Sequence, residues 1–354
     1  MDLDFIRGLY PSRCWDWAFF ENAGGSFVPE SVVNRVTQYM RETQVQPGAG
    51  YEASAKAGER MATGQRLMAE MIGAAPDEVM VGPSTGMNVF LLSHAIRHWF
   101  APGDEIIVSP YTMTASALAP MIYGAVPVFA DVDPDSLNIT PETIAKRISR
   151  RTRCILVVHL YGNPVDMPAV MRLAAKRKIF VVEDLAQSYM CELNGKLCGT
   201  YGHFGCFSLN DSKHIGAGDG GMLITNNARY ADTADLFADK CYDRVDKGRL
   251  PFFAPYNYRI NLLAAAIAIE QLKKVKRITT RRNRFGDRIS AELEKMPGVR
   301  PPKIHSRAKC TYWYYVFHVI EDELGASIDD FRQAMAAEGV GVSRHNETVL
   351  DWPL

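Results

Sequence analysis

The sequence has no surplus of charge of either sign: 40 lysines and arginines balance 40 aspartates and glutamates. That balance argues against nucleic acid or an anionic membrane surface as principal partner, since both select a basic excess. No apolar run approaches the length that spans a bilayer, and the acidic opening MDLDF is not that of a signal peptide. Internal repeats and low-complexity tracts are missing. The seven cysteines (Cys14, Cys154, Cys191, Cys198, Cys206, Cys241, Cys310) are odd in number, scattered, and include no CxxC pair. A disulfide framework and a metal site are therefore not expected, and the pattern suits reduced thiols in a cytoplasm. What remains is a cytoplasmic chain of enzyme size, its 354 residues sufficient for one large and one smaller domain.

What is present, from Asp104 onward, is regular alternation. Apolar strands are expected at Ile106–Ser109, Val126–Ala130, Ile155–Leu160 and Phe180–Glu183, with helical stretches near Ala115–Tyr123, Pro141–Ser149 and Pro168–Lys176. Strand–helix alternation with short connections means an α/β fold with a mostly parallel, doubly wound sheet. Upstream, Ala57–Met71 has a helical pattern and Glu78–Val81 reads as a short strand. Gly82-Pro83-Ser84-Thr85-Gly86-Met87 then leads into a helix, Asn88–Phe100. A Ser/Thr/Gly turn at a helix start offers free backbone N–H groups and the positive end of the helix dipole, a seat for phosphate. Serine and threonine cap ordinary helices as well.

The stretch with most chemistry is Phe204–Asn227. An apolar strand, Gly205–Leu209, runs into a polar turn carrying Lys213. Gly216, Gly218, Gly220 and Gly221 follow, then a second strand, Met222–Thr225. A hairpin with a solvated lysine would read the same way. Upstream, the buried strand in IFVVEDLAQ ends at Glu183 and Asp184, with Gln187 three residues on. Ligands of open parallel sheets sit beyond the carboxyl ends of strands. A carboxylate there and a lysine about thirty residues later suit pyridoxal phosphate: the lysine forms the Schiff base and Asp184 keeps the pyridine nitrogen protonated.

The segment EDLAQSYMCELNGKLCGTYGHFGCFSLNDSKHIGAGDGGMLITN resembles the core of the DegT/StrS-type sugar aminotransferases, a family of fold-type I pyridoxal phosphate enzymes. SPYTMTASAL, PVFADVDPDSLNI and HLYGNPVDM resemble the same family at corresponding places. The resemblance implies that Ser84, Thr85, Gly86 and Ser208 meet the cofactor phosphate and that Gln187 donates to the ring's phenolic oxygen. It places Met113 where an aromatic residue usually stacks on the ring; a thioether can make that contact, and Tyr111 is a nearby substitute. Pro255–Asn261 resembles the NYR motif, which implies that Asn257 reaches the phosphate of a neighbouring subunit in a homodimer. The family's Glu and Gln after that motif are Leu262 and Ala264 in this chain.

The implied activity is transfer of an amino group from glutamate or glutamine to a keto-sugar, nucleotide-linked, or to a cyclitol ketone. Lys213 and Asp184 would be the catalytic residues. Related dehydratases carry histidine where Lys213 stands, so transamination is the expectation. FFENAGGSFVPESVV (Phe19–Val33) resembles instead the class V aminotransferases and cysteine desulfurases. A desulfurase needs a late nucleophilic cysteine, which only Cys310 could supply, and its usual histidine before the lysine is Ser212. A non-catalytic regulatory protein on the same fold is the third reading. The large cofactor-binding domain is expected over 1–248, including an N-terminal segment 1–50, and a smaller α/β domain over 249–354. That domain reads as a long helix from Leu262 toward Met296, a strand Tyr312–Ile320, a helix Ser327–Glu338 and a strand Val340–Ser343. The chain stops at HNETVLDWPL where the family continues, so a missing C-terminus is expected.

Overall fold

The computed structural model describes residues 3–16, 27–43, 45, 51–85, 87–89, 92, 101–241, 257–344 and 348–351. Short, continuous apolar runs become strands: β1 (Val79–Gly82), β2 (Glu105–Val108), β3 (Val126–Phe129), β4 (Thr152–Val158) and β5 (Phe180–Asp184). The short β6 (Glu192–Leu193) and β7 (Lys196–Leu197) follow, then β8 (Phe204–Ser208) and β9 (Gly221–Ile224). Seven of them form one sheet in the order β1-β9-β8-β5-β4-β2-β3. The pairs β2–β3, β2–β4, β4–β5 and β5–β8 are parallel; β9 runs antiparallel to β8 and β1. The sheet is thus the expected mostly parallel, doubly wound one.

Both faces are covered, which is why the strands read as unbroken apolar runs. Ile106 and Val108 of β2, with Cys154, Leu156 and Val158 of β4, enter one core cluster. Ile107, Ile155 and Val157 enter another on the opposite face, the alternation a strand imposes. The edge strand β3 carries Pro127, whose missing N–H is tolerated at an edge.

From β2 the chain goes outward to β3 and returns across β2 to β4, so the strand order reverses there. A crevice at the carboxyl ends of the strands is the consequence. β1 ends on the same side, and β9, running the other way, begins there.

The expected helices form as Glu52–Ile72, Thr114–Met121, Pro141–Ala145 and Met167–Arg177. The third is shorter than expected, because residues 149–152 turn to meet buried Glu105: Ser149 Oγ and the Arg151 guanidinium donate to its carboxylate. The expected strand Ile155–Leu160 starts earlier, at Thr152, and stops at Val158, after which Leu160–Gly162 form a tight 3-10 turn. A helix starts just after Pro29, at Glu30. Residues 19–26 of the FENAGGS segment and 93–100 of the expected Asn88–Phe100 helix lie outside the described residues.

The long helix runs Leu262–Leu293, its first turn capped by Asn261 Oδ1, which accepts from Ala264 N at 2.8 Å. Ala264, Ala268, Leu272, Val275 and Thr279 form its buried stripe at three- and four-residue spacing, and Gly286 continues it two turns on. At Gly286 an added Cβ would stand 2.4 Å from the Tyr312 ring. Tyr312 cannot swing clear, because its hydroxyl donates to Asp287 Oδ1 at 2.9 Å. Gly286→Ala is therefore expected to destabilise the fold by about 1–3 kcal/mol through overpacking, although alanine is the better helix former by about 1 kcal/mol. Denaturant unfolding measures this; a more stable variant would contradict the packing.

Two C-terminal expectations are corrected. Tyr312–Ile320 is not one strand: only His318–Val319 pairs, with Val299–Arg300. Residues 311–313 spend their backbone bonds elsewhere, Thr311 N donating to Gly162 O and Trp313 N to Tyr161 O. Val340–Ser343 forms no strand; Val342 O accepts instead from Arg332 Nε at 3.2 Å. The helix between them forms as Ile328–Ala337 with the expected Ser327 cap. The seven cysteines are free and buried, yet not all scattered in space. The pairing of Ala308–Lys309 with β6 and of β6 with β7 sets Cys310, Cys191 and Cys198 in one row.

Candidate active site

β5 and β8 lie side by side, with Asp184 opposite Cys206. Asp184 is only 6% exposed. Its Oδ1 accepts from Ala186 N at 2.9 Å and its Oδ2 from Ser116 Oγ at 2.8 Å. Burial pushes its carboxyl above the usual range, against the pull of these two bonds and of the Lys213 charge. Lys213 shows the complementary effect: loss of solvent draws its amine below the usual lysine range, and the charge of Asp184 opposes that. The two side chains feel each other's charge inside the protein. Lys213 is half-buried, unlike a lysine standing free in solvent.

The lysine turn is built locally. Asn210 Oδ1 accepts from Ser212 N at 3.2 Å and Ser212 Oγ at 2.9 Å, and Lys213 N donates to Asn210 O at 3.0 Å. Leu209 N donates to Gly220 O, and Ala217 N to Leu209 O, closing the glycine-rich loop on the strand end. Gly221 has the clearest reason to be glycine. A Cβ there would lie 2.6 Å from Ser84 C and 2.7 Å from Thr85 N, so the loop and the Ser84–Thr85 turn touch backbone to backbone.

At that turn Ser84 Oγ accepts from Met87 N at 3.1 Å, as a helix cap does. The Asn88 amide ties the turn to β9, its nitrogen 3.3 Å from Ser84 O and its oxygen accepting from Met222 N at 3.1 Å. Thr85 Oγ1 is buried without a partner among the described residues. An unsatisfied hydroxyl at a helix N-terminus fits a phosphate oxygen, and is costly otherwise. Gly86 lies outside the described residues. Ser208 is buried, and its Oγ accepts from Asn210 N at 3.2 Å.

Gln187 is oriented by Tyr161, whose N–H donates to its Oε1 at 2.9 Å, leaving its NH2 as a donor with no bond among the described residues. Tyr161 holds a left-handed backbone (φ 55, ψ 18), the kind of strain that gathers at functional sites. Met113 stands immediately before the helix that carries Ser116, and is 65% exposed. Tyr111 is partly buried, its hydroxyl accepting from that of Tyr161 at 3.2 Å. Asn257 is exposed, and its Oδ1 accepts from Arg259 N and Nε; none of these bonds joins it to the Lys213–Asp184 group.

Three features were not singled out from the sequence. Ser116 orients Asp184 from 68 positions away. Trp313 donates from Nε1 to Ser212 O at 2.6 Å, and Lys213 Nζ stands 3.9 Å from its ring centroid. Glu183, beside Asp184, accepts from the N–H groups of Gly199, Tyr201 and Gly202 and from His159 Nε2 at 3.0 Å. His159 Nδ1 accepts from Val165 N, so Nε2 carries the proton. The Cys191 and Cys198 thiols lie within 4.8 Å of a His159 nitrogen. Both ring nitrogens are engaged, so a metal would have to break one of these bonds.

A family model described as the DegT/DnrJ/EryC1/StrS aminotransferase family matches residues 56–351. Spore coat polysaccharide biosynthesis protein SpsC of Bacillus subtilis is 29% identical over 69% of this chain and 65% of its own length. The UDP-N-acetyl-3-dehydro-alpha-D-glucosamine 3-aminotransferase of Acidithiobacillus ferrooxidans is 42% identical over 47% of this chain and 45% of its own. The chain thus spans less than two thirds of the length of the curated relatives it matches. Among solved structures, the aminotransferase TlmJ of Streptoalloteichus hindustanus shares the fold with a TM-score of 0.80 at 24% identity, over 93% of this chain and 85% of that one.

Proposed function

Because the chain belongs to the DegT/DnrJ/EryC1/StrS aminotransferase family, whose members depend on pyridoxal phosphate, we propose that it moves an amino group from glutamate or glutamine to a keto-sugar, nucleotide-linked, or to a cyclitol ketone. The observation that carries this reading is the placement of half-buried Lys213, in the turn beyond the end of β8, near buried Asp184 at the end of the adjacent β5, each shifted by loss of solvent and opposed by the other's charge.

Bound there, pyridoxal phosphate would supply reversible covalent attachment and an electron-withdrawing ring. The chain's own groups do the rest. Ser84, Thr85, Gly86 and Ser208 would hold the phosphate at the helix start, where Thr85 Oγ1 lacks a partner among the described residues. Asp184, fixed by Ser116 and Ala186, would face the ring nitrogen; a buried acid gains most from such a cation. The Gln187 NH2 would donate to the phenolic oxygen. Met113, or Tyr111 in its place, would cover the ring face. Lys213 Nζ would take the proton from the amine-bearing carbon and return it, a task suited to an amine that loses its proton more readily than a solvated lysine.

A homodimer is part of the proposal, with exposed Asn257 reaching the partner's phosphate; exposed Val33, Met61 and Leu263 offer apolar surface for it. So are a cytoplasmic location and a division into domains 1–248 and 249–354; no helix among the described residues is long and apolar enough to cross a membrane. The desulfurase reading loses its nucleophile, since Cys310 is buried and burial raises its thiol far above the usual range.

The test is turnover of a panel of nucleotide-linked keto-sugars and cyclitol ketones with glutamate or glutamine, read by mass spectrometry. An amino product formed with release of the 2-keto acid is expected. A protein that binds pyridoxal phosphate but releases sulfide from cysteine, or one that never binds it, would overturn the reading.

A further inference from the structure

We propose that Trp313 is a positioning residue for Lys213, its indole N–H clamping the lysine turn and its ring face receiving the free lysine amine. The importance of Lys213 in this proposal rests on the function proposed above; the contacts do not. Trp313 Nε1 donates to Ser212 O at 2.6 Å, and Lys213 Nζ stands 3.9 Å from the ring centroid. On the other side of the lysine, His214 Nε2 donates to Thr311 O at 3.0 Å. Both neighbours of Lys213 are thus fastened to one segment about a hundred residues downstream.

That segment is itself firmly held. Thr311 N donates to Gly162 O at 3.0 Å and Trp313 N to Tyr161 O at 2.9 Å. Arg282 Nη1 donates to Tyr312 O at 3.1 Å and Trp313 O at 3.0 Å. Gly162 (φ 90) permits the approach, since a Cβ there would lie 2.5 Å from Tyr312 N. The indole packs in a three-ring cluster, its centroid 6.3 Å from that of Tyr161 in a stacked pair and 4.0 Å from that of Tyr314, with the two tyrosines themselves 6.2 Å apart. An indole so confined presents one fixed face to the amine.

The two contacts have separable consequences. A ring face attracts the charged amine and not the neutral one, so it resists the lowering that desolvation imposes. The N–H bond to Ser212 O fixes backbone and is indifferent to the lysine's charge.

The experiment uses the full chain freed of cofactor. The pH dependence of Lys213 acetylation, read by mass spectrometry, gives the lysine pKa, and hydrogen exchange over residues 210–213 reports the turn. Trp313→Leu removes both contacts and is expected to lower the Lys213 pKa by roughly half a unit to one and a half units. Trp313→Phe keeps a face and loses the donor; it should recover most of that pKa while exchange in the turn quickens by about two- to tenfold in both variants. An unchanged pKa in Trp313→Leu, or the same drop in both variants, would overturn the proposal, since general loosening of the turn gives the latter. Should Trp313→Leu fail to fold, Trp313→Phe must still show faster exchange with a near-normal pKa, and the opposite pattern would overturn the clamp. These readouts need neither cofactor nor substrate. Failure of the aminotransferase reading would appear as absent turnover with the pKa shifts intact.

Discussion

Replacing Lys213 by alanine is expected to leave the fold standing and to lower transamination by at least about 10²–10⁴-fold, the usual contribution of one positioned acid–base group. The side chain is not a keystone of packing. The turn is closed by backbone and Asn210 bonds, with Lys213 contributing only its N–H to Asn210 O. Lys213 is half-buried, so only a small loss of stability is expected. The visible absorbance of the lysine-bound cofactor should vanish, and far-ultraviolet circular dichroism should be unchanged. Steady-state assay of wild type and variant measures the loss. A variant with wild-type turnover would mean that another base does the work.

Asp184→Asn is the second large effect, and it acts oppositely on activity and stability. Activity should fall by roughly 10²–10⁴-fold, because an amide cannot pair with a protonated ring nitrogen as a carboxylate does. The contacts to the scaffold survive: an amide oxygen can still accept from Ala186 N, and its NH2 can donate to Ser116 Oγ. In the cofactor-free chain the carboxyl of Asp184 is raised by burial. The folded state then binds its proton more tightly than the unfolded state, so the group's contribution to stability is lost as pH rises through the folded pKa. Below the unfolded carboxylate value of about 4 the penalty is absent. Cofactor-free Asp184→Asn should therefore melt above wild type at pH 7, with the gap closing as pH falls below about 4. Thermal melts across pH decide this. A variant less stable than wild type at pH 7 would mean that Asp184 is paired in the free protein.

The sheet was legible because strands buried on both faces need unbroken apolar runs, as in IIV of β2 and CILVV of β4. The Lys213–Asp184 pair was legible because each lies close behind such a run, in wording that a family shares. Ser116 and Trp313 were not legible. Their partners are 68 and 101 positions away, and nothing local distinguishes a serine on a helix or one tryptophan in TYWYYVF. That same aromatic stretch imitated a strand, since alternating bulky residues suit a pleated surface. Its hydrogen bonds went instead to Gly162, Tyr161 and Arg282, a long-range choice that periodicity does not encode. Glu183 was noticed only as the neighbour of Asp184. Its four bonds, to three loop amides and to His159, give it the task of shaping the strand end that Asp184 shares.

The most direct test is to add pyridoxal phosphate to the full chain, reduce with borohydride, digest, and locate the phosphopyridoxyl mass. The account predicts it on Lys213 alone, and its absence from the whole chain in Lys213→Ala. A label on any other lysine of the wild-type protein, or none anywhere, would contradict it.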